Sequence, residues 1–146
     1  MRQQISIFAF SMCALISLTK VALGDIIGRV SQVEDGDTFD ICVLNTCVTV
    51  RLCGINAPEK GETGYFQAKQ ALIEIADELT VHCIGIGDGS VCDGRSSRAS
   101  EGNLVAQCFA GTVDIGEAMV SKGFACDWTK YSGGYYSRRG GKACED

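Results

Sequence analysis

The chain has 146 residues, of which 46% are hydrophobic and 21% are charged, and this size and composition favour a single folded domain. Eighteen Asp and Glu residues against thirteen Lys and Arg residues give a formal net charge of −5. Nonspecific nucleic-acid binding comes from Lys and Arg side chains that neutralise phosphates. The charge therefore excludes a protein that holds a polyanion through a general basic surface, and any nucleic-acid role must depend on a local site.

The first 24 residues have the pattern of a secretory signal peptide. A basic residue near the start is followed by a short apolar run, and Ala22 and Gly24 are the small residues before a cleavage position ahead of Asp25. A membrane anchor is the alternative, but an apolar run this short spans a bilayer poorly. We expect a signal peptide over 1–24, one domain over 25–146, and an exported protein that is periplasmic or secreted and free of the membrane after cleavage.

The cysteines indicate disulfides in an oxidising compartment. Removal of the first 24 residues would leave 11 Lys and Arg against 18 Asp and Glu, a charge of −7, and eight of the nine cysteines. An even number in an exported chain implies bridges. Cys42 could face Cys47 across a turn, and Cys83 and Cys108 fall in strands that could be neighbours, but the sequence leaves the connectivity open. Zinc is the alternative, although no two cysteines form a C-x-x-C clip.

Strand patterns come first along the chain. Apolar or alternating runs rich in β-branched residues predict strands at Ile26–Val33, Thr38–Leu44, Cys47–Ile55, Thr80–Gly87 and Asn103–Ala110. The dipeptide Asn45–Thr46 suits a hairpin turn between the second and third strands.

Helical patterns follow the third and fifth strands. A helical period over Gly64–Leu79 places four apolar residues on one side of a helix, namely Phe66, Leu72, Ile75 and Ala76. Asp114 and Glu117 form a capping box for a second helix, which Gly123 ends. A last helix from Tyr135 would be short or frayed, because two glycines follow it. Five strands with a helix after the third predict an α+β fold, an oligonucleotide/oligosaccharide-binding (OB) type of β-barrel with two to three helices.

The segment "EDGDTFDI" places Asp35, Asp37 and Asp40 around a glycine at the first strand-to-strand turn. Asp-Gly is also a common hairpin signal, so these residues alone are read either as a turn or as metal ligands. A metal site needs further oxygen donors from a neighbouring strand end.

The segment "VRLCGINAPE" supplies such donors. They are Asn56, the backbone carbonyl of Ala57 and Glu59, and oxygen donors of this kind are what a hard cation such as calcium requires. Arg51 lies on the same strand, at a spacing that lets its guanidinium reach a phosphate held there.

These two segments together resemble the staphylococcal nuclease (thermonuclease) family. The resemblance continues through "NLVAQCFAGTVDIGEAMVSKGFACDWTKYSGG" and covers roughly 26–136. It implies an OB-type barrel with three helices and a calcium-dependent phosphodiesterase that acts on DNA and RNA. By position, Asp37 resembles the family's first calcium carboxylate and Arg51 one of its two phosphate-clamping arginines. Glu59 resembles the residue that orients or deprotonates the attacking water.

Two departures from the family pattern reduce the expected activity. Asn56 stands where the family has a second calcium-binding aspartate, so the site loses a negative charge. Before the fifth strand, Glu101 and Asn103 stand where the family has the tyrosine and arginine of Tyr-Gly-Arg. Loss of a transition-state arginine costs on the order of 10³–10⁵ in rate in analogous sites. Arg95 or Arg98, from the inserted segment, could replace it.

Several alternatives stay open at this point. Trp128 and Tyr131 could stack a base or could form a packing lid. The chain could be an exported, monomeric nuclease, or a binding module that kept the fold and lost the chemistry. It is also similar in size and layout to exported family members in gene sets for exopolysaccharide (succinoglycan) synthesis, but no residue indicates a sugar site.

Overall fold

The computed structural model describes residues 25–145, so the predicted signal peptide lies outside the described residues. In chain order the elements are β1 (Ile26–Val33), β2 (Thr38–Val43), β3 (Thr46–Leu52), β4 (Ile55–Asn56), α1 (Tyr65–Ala76), β5 (Thr80–Gly85), β6 (Ala99–Ser100), β7 (Asn103–Ala110), β8 (Val113–Asp114), α2 (Ile115–Ser121), β9 (Cys126–Asp127), α3 (Thr129–Ser132) and a 3-10 turn at Ser137–Arg139. Among these residues, no helix has the length and apolar character needed to cross a membrane.

Five strands close into a barrel. β1 pairs antiparallel with β2 and β5, β2 pairs antiparallel with β3, and β5 pairs antiparallel with β7. β7 runs parallel to β3, with Arg51 opposite Val105, and this pairing closes the ring. The predicted OB-type barrel with three helices is confirmed.

The strand boundaries differ from the predicted ones at two turns. β3 ends at Leu52, three residues earlier than predicted, because Gly54 adopts a positive φ of 73° and turns the chain before the short β4. The turn between β2 and β3 consists of Leu44 and Asn45 and not of Asn45 and Thr46, since Val43 pairs with Thr46. The strand Asn103–Ala110 has the predicted bounds.

The core of the barrel is covered by α1 and α2. Phe39, Ile41 and Val50 are fully buried inside it, and α1 packs against it through small side chains and one leucine, namely Ala68, Ala71, Leu72 and Ala76. The prediction for Phe66 was wrong, since 79% of this residue is exposed. The small alanines bring the helix close to the barrel, and Phe66 lies on the opposite side.

The start of α2 has one half of the predicted capping box. The Asp114 carboxylate accepts a 3.1 Å hydrogen bond from the Glu117 amide. The reciprocal bond is absent from the described residues, and the Glu117 carboxylate lies 3.8 Å from Nε of Arg139 instead. Gly123 has a positive φ of 77° just after the helix, as the prediction required.

Four disulfides reinforce the fold. They are Cys42–Cys47, Cys53–Cys92, Cys83–Cys108 and Cys126–Cys144. The first and third join directly paired residues of neighbouring strands and are the two pairs the sequence suggested. All eight cysteines of the described residues are used in this way, so none is left to bind zinc.

Candidate active site

Asp37 lies at the centre of the site, in the turn between β1 and β2, with 1% of its surface exposed. Its backbone carbonyl accepts a 2.8 Å hydrogen bond from the Leu52 amide at the end of β3. The turn approaches the chain after β4 so closely that a Cβ at Gly36 would lie 2.6 Å from Cβ of Ala57. Glycine at position 36 is therefore what lets Asp37 reach its partners.

Three of the other residues predicted for the site converge around this carboxylate, namely Arg51, Asn56 and Ala57. Arg51 donates from Nη1 to Oδ1 of Asp37 at 2.7 Å and from Nη2 to Oδ1 of Asn56 at 3.2 Å. The Ala57 amide donates to Oδ2 of Asp37 at 2.9 Å. The guanidinium is thereby fixed by two side chains, one from the turn between β1 and β2 and one from β4, so its orientation is set before any ligand binds.

The environment of Asp37 opposes its negative charge. Burial raises the pKa of Asp37 to about 6, although the Arg51 guanidinium and the Ala57 amide favour the charged form. The nearby carboxylate of Asp35 adds a further upward contribution to this pKa. Positive charge next to Asp37 is therefore stabilising, whether it comes from Arg51 or from a cation.

A pocket of about 340 Å³ opens above this group. Its lining is polar and consists of Glu34, Asp35, Thr38, Arg51, Asn56, Glu59, Ser100, Glu101, Asn103 and Trp128. Four carboxylates and one guanidinium give this acidic pocket a formal charge of −3. A phosphodiester would be repelled from such a pocket unless a cation were also present.

The donor set fits a hard cation. The oxygen donors of Asp35, Asn56 and Glu59 line the pocket, which matches the preference of calcium. The Asp37 oxygens lie below it and already accept hydrogen bonds from Arg51, Thr38 and the Ala57 amide. Within residues 25–145 there is no group of three or more His, Cys, Asp or Glu side chains placed to hold a metal by themselves. The site therefore suits a weakly held cation of the calcium type and not zinc.

Glu59 lines the acidic pocket and is exposed to solvent. Its backbone amide donates a 2.7 Å hydrogen bond to the Glu62 carboxylate, which fixes the turn that carries it. A solvent-exposed carboxylate in the same pocket as a guanidinium is suited to accept a proton from water. Three other residues line this pocket without having been predicted, namely Glu34, Thr38 and Ser100. Glu34 was recognisable as the acidic neighbour of the Asp-Gly-Asp turn, whereas no sequence signal marked Ser100.

A second pocket of about 530 Å³ adjoins the first and shares Arg51, Ser100 and Trp128 with it. Arg95 and Tyr131 also line this groove. The rings of Trp128 and Tyr131 meet edge to face with centroids 4.6 Å apart, so the two aromatic residues pack on each other and also face the groove.

Arg98 lies elsewhere. Its Nη1 is 3.7 Å from Oδ2 of Asp88, and it lines neither pocket. Of the two arginines that the sequence offered as replacements, the structure brings Arg95 and not Arg98 beside Arg51.

The fold and the site define the class of this protein as an OB-type barrel domain in which an arginine is hydrogen-bonded to a buried carboxylate beside an acidic pocket. The chain belongs to the staphylococcal nuclease homologue family, whose model matches residues 49–139. It is 33% identical over 67 residues to the micrococcal nuclease of Shigella flexneri, and the aligned segment covers 46% of this chain and 38% of that protein. It is 39% identical over 59 residues to protein ParB of Escherichia coli, and the aligned segment covers 40% of this chain and 33% of that protein.

The chain thus spans little more than a third of the length of these curated relatives. The family match begins at Thr49, so it includes Arg51, Asn56 and Glu59, while Asp37 precedes it. The nuclease-type domain follows from the family, and the role of Asp37 depends on the geometry described above.

Proposed function

We propose that the protein is an exported, calcium-dependent phosphodiesterase that cleaves DNA or RNA as a monomer. One observation carries the proposal: Arg51 is held between Asp37 and Asn56 at the floor of a pocket that Glu59 also lines. Attack of water on a phosphodiester needs three parts: a hydrogen-bond donor to the phosphate, a base, and oxygen ligands for a cation.

Each residue has a defined task in this proposal. Asp37, Asn56 and the carbonyl of Ala57 would hold calcium, which would supply positive charge to the phosphate oxygens. Arg51 donates hydrogen bonds to the same phosphate, and these strengthen as negative charge builds up on its oxygens. Glu59 accepts a proton from the attacking water, and the resulting hydroxide forms a bond to phosphorus while the bond to the leaving sugar oxygen breaks. That oxygen takes up a proton from solvent water and leaves as a hydroxyl. Trp128 and Tyr131 would contact a base.

The four disulfides support the export part of the proposal, since such bridges persist in oxidising compartments. The acidic pocket supports the calcium part, because its formal charge of −3 would repel a phosphodiester unless a cation were bound. Asn56, Glu101 and Asn103 favour a slow enzyme, since they leave the pocket with Arg51 as its one guanidinium among the described residues.

The test is hydrolysis of single-stranded DNA by the oxidised protein, with millimolar calcium and with chelator, alongside Glu59→Gln. Glu74→Gln is the matched control, because Glu74 lies on α1 and outside the acidic pocket. We expect calcium-dependent cleavage that Glu59→Gln lowers by at least about a hundredfold and Glu74→Gln leaves unchanged. Cleavage that does not exceed the Glu59→Gln level would instead identify a binding module that retained the fold without the chemistry.

A further inference from the structure

The groove beside the acidic pocket has the opposite charge. None of its thirteen lining residues is Asp or Glu, while two are arginines, Arg51 and Arg95. Its wall also includes three serines, of which Ser96 and Ser97 donate their hydroxyls to nearby backbone carbonyls, while Ser100 keeps a hydroxyl that can donate to a ligand. On a chain with a net charge of −5, a groove with two guanidinium groups and no carboxylate is a local anion-binding surface.

The two arginines of the inserted segment differ in availability. Arg98 is partly neutralised by Asp88. Arg95 forms no ion pair with any described residue, and its guanidinium packs over Gly133, where a Cβ would lie 2.8 Å from Cζ of Arg95. Arg95 is therefore placed in the groove with its donors free.

A disulfide holds Arg95 at this position. Cys53 lies two residues after Arg51 and is bonded to Cys92. The Cys92 carbonyl accepts hydrogen bonds from the amides of Arg95 at 3.0 Å and Ser96 at 3.1 Å. The disulfide packs with Ile86 and Val105 in a small apolar cluster of its own, separate from the barrel core. The strand end that carries Arg51 and the loop that carries Arg95 are thus joined covalently.

We propose that Arg95 binds a second phosphate of a single-stranded nucleic acid, next to the phosphate that Arg51 binds, and that the Cys53–Cys92 disulfide is what positions it. Arg51 lines both the acidic pocket and the adjoining groove, whereas Arg95 lines the groove alone. In this proposal the two guanidinium groups therefore contact successive phosphates of one strand. The inference rests on the proposed function, because it takes the Arg51 phosphate as the scissile one. It assigns Arg95 to substrate binding, not to the transition state.

The test measures binding with millimolar calcium, which offsets the charge of the acidic pocket. The reference protein, called wild type in this test, and all variants carry Glu59→Gln, so that cleavage stays slow. Trp128 is the single tryptophan of the chain and lines the groove, so its fluorescence reports on occupancy. The oligothymidylates dT2, dT4 and dT8 are titrated into wild type, Arg95→Ala and the matched control Arg98→Ala at several salt concentrations. For dT8 we expect Arg95→Ala to weaken binding about tenfold and to reduce the slope of log affinity against log salt by about 0.7. For dT2 the affinities of wild type and Arg95→Ala should agree within about twofold.

Three results would overturn the assignment. Equal losses in Arg95→Ala and Arg98→Ala would show a general charge effect. A tenfold loss that is already complete for dT2 would place Arg95 on the Arg51 phosphate. Unchanged dT8 binding in Arg95→Ala, or no binding of dT8 to wild type, would exclude a phosphate contact.

The positioning role has its own test. In Cys53→Ser/Cys92→Ser, Arg95→Ala should cause no further loss of dT8 affinity, whereas in Cys126→Ser/Cys144→Ser it should still cost about tenfold. Should the first pair of substitutions prevent folding, Cys53→Ala/Cys92→Val tests the same point, because apolar side chains suit the buried cluster that holds this disulfide. A full tenfold effect of Arg95→Ala in both backgrounds would exclude the disulfide as a positioning device.

Failure of this inference is distinguishable from failure of the proposed function. Calcium-dependent cleavage combined with unchanged dT8 binding in Arg95→Ala would leave the enzyme proposal intact and remove only the second phosphate contact. Binding that depends on Arg95 without any cleavage would keep the contact and remove the enzyme.

Discussion

The guanidinium of Arg51 donates a 2.7 Å hydrogen bond to the buried carboxylate of Asp37, and this contact joins the turn before β2 to the strand that closes the barrel. The group proposed to bind a phosphate is therefore also the counter-charge of a buried carboxylate. Stability and the proposed phosphate binding depend on the same pair, and the first prediction follows from this coupling.

Arg51→Ala should destabilise the protein by about 2–4 kcal/mol, because it leaves the Asp37 carboxylate buried without its counter-charge. The matched control is Arg29→Ala, which breaks an exposed ion pair with Glu78 and should cost less than about 1 kcal/mol. Urea unfolding of both variants measures the difference. Equal stability of the two variants would contradict the structural importance of the pair.

Asn56→Asp should strengthen cation binding by at least about tenfold, because it adds a full negative charge beside Asp37. Terbium, a calcium-like ion, can be followed by its luminescence when Trp128 is excited, since Trp128 lines the same pocket. Asn45→Asp adds the same charge in the exposed hairpin turn and should leave terbium affinity unchanged. Similar affinities for Asn56→Asp and wild type would argue against a cation ligand at position 56.

The disulfides should differ in their contribution to stability according to the length of chain that each one closes. Cys42–Cys47 spans 5 residues and Cys53–Cys92 spans 39. The chain-entropy relation gives about 2 kcal/mol for the first and about 4 kcal/mol for the second. Paired Cys→Ser variants, unfolded in urea, test the order. A larger loss for the hairpin disulfide would show that native contacts and not chain entropy determine the effect.

Asp114→Ala should destabilise the protein by about 2 kcal/mol, because it removes the cap of α2 and leaves the buried Gln107 amide without its 2.7 Å partner. Burial raises the pKa of Asp114, so the folded state binds its proton more tightly than the unfolded state does. The carboxyl therefore adds stability as pH falls through its folded-state pKa.

The cost of Asp114→Ala should accordingly be larger near pH 4 than at pH 7. Urea unfolding at the two pH values measures it, and Asp114→Asn, which keeps a capping oxygen, serves as the comparison. A cost that stays constant or shrinks on acidification would contradict the raised pKa.

Local patterns were sufficient to predict the barrel and the centre of its site. The strands could be read from alternation, and the site centre could be read because Asp37 and Asn56 each lie at a strand end marked by turn residues. The position of Arg95 was not predictable, because it depends on the Cys53–Cys92 disulfide, one of many pairings that eight cysteines allow. Phe66 was misassigned because its size and apolar character were given more weight than its place in the helical period, which puts it on the side of α1 opposite the buried alanines.

The two-residue turn between β6 and β7 shows a further limit of the sequence. Glu101 and Gly102 both have positive φ, 51° and 85°, and this turn places Glu101 and Asn103 at the acidic pocket. Gly102 fits such a conformation, but Glu101 gives no local signal for it. Only the long-range pairing of β7 with its neighbours defines where the turn points.

The parallel pairing of β3 with β7 has a consequence for when the site exists. It joins Arg51 to Val105, residues far apart in the chain, and a contact of that kind carries a large loop-closure cost. A chain with native hairpins but an open seam would keep Arg51 paired with Thr38 on an edge strand, away from the wall that Ser100 and Asn103 provide. The complete acidic pocket, and with it the proposed phosphate site, therefore exists only in the sealed barrel.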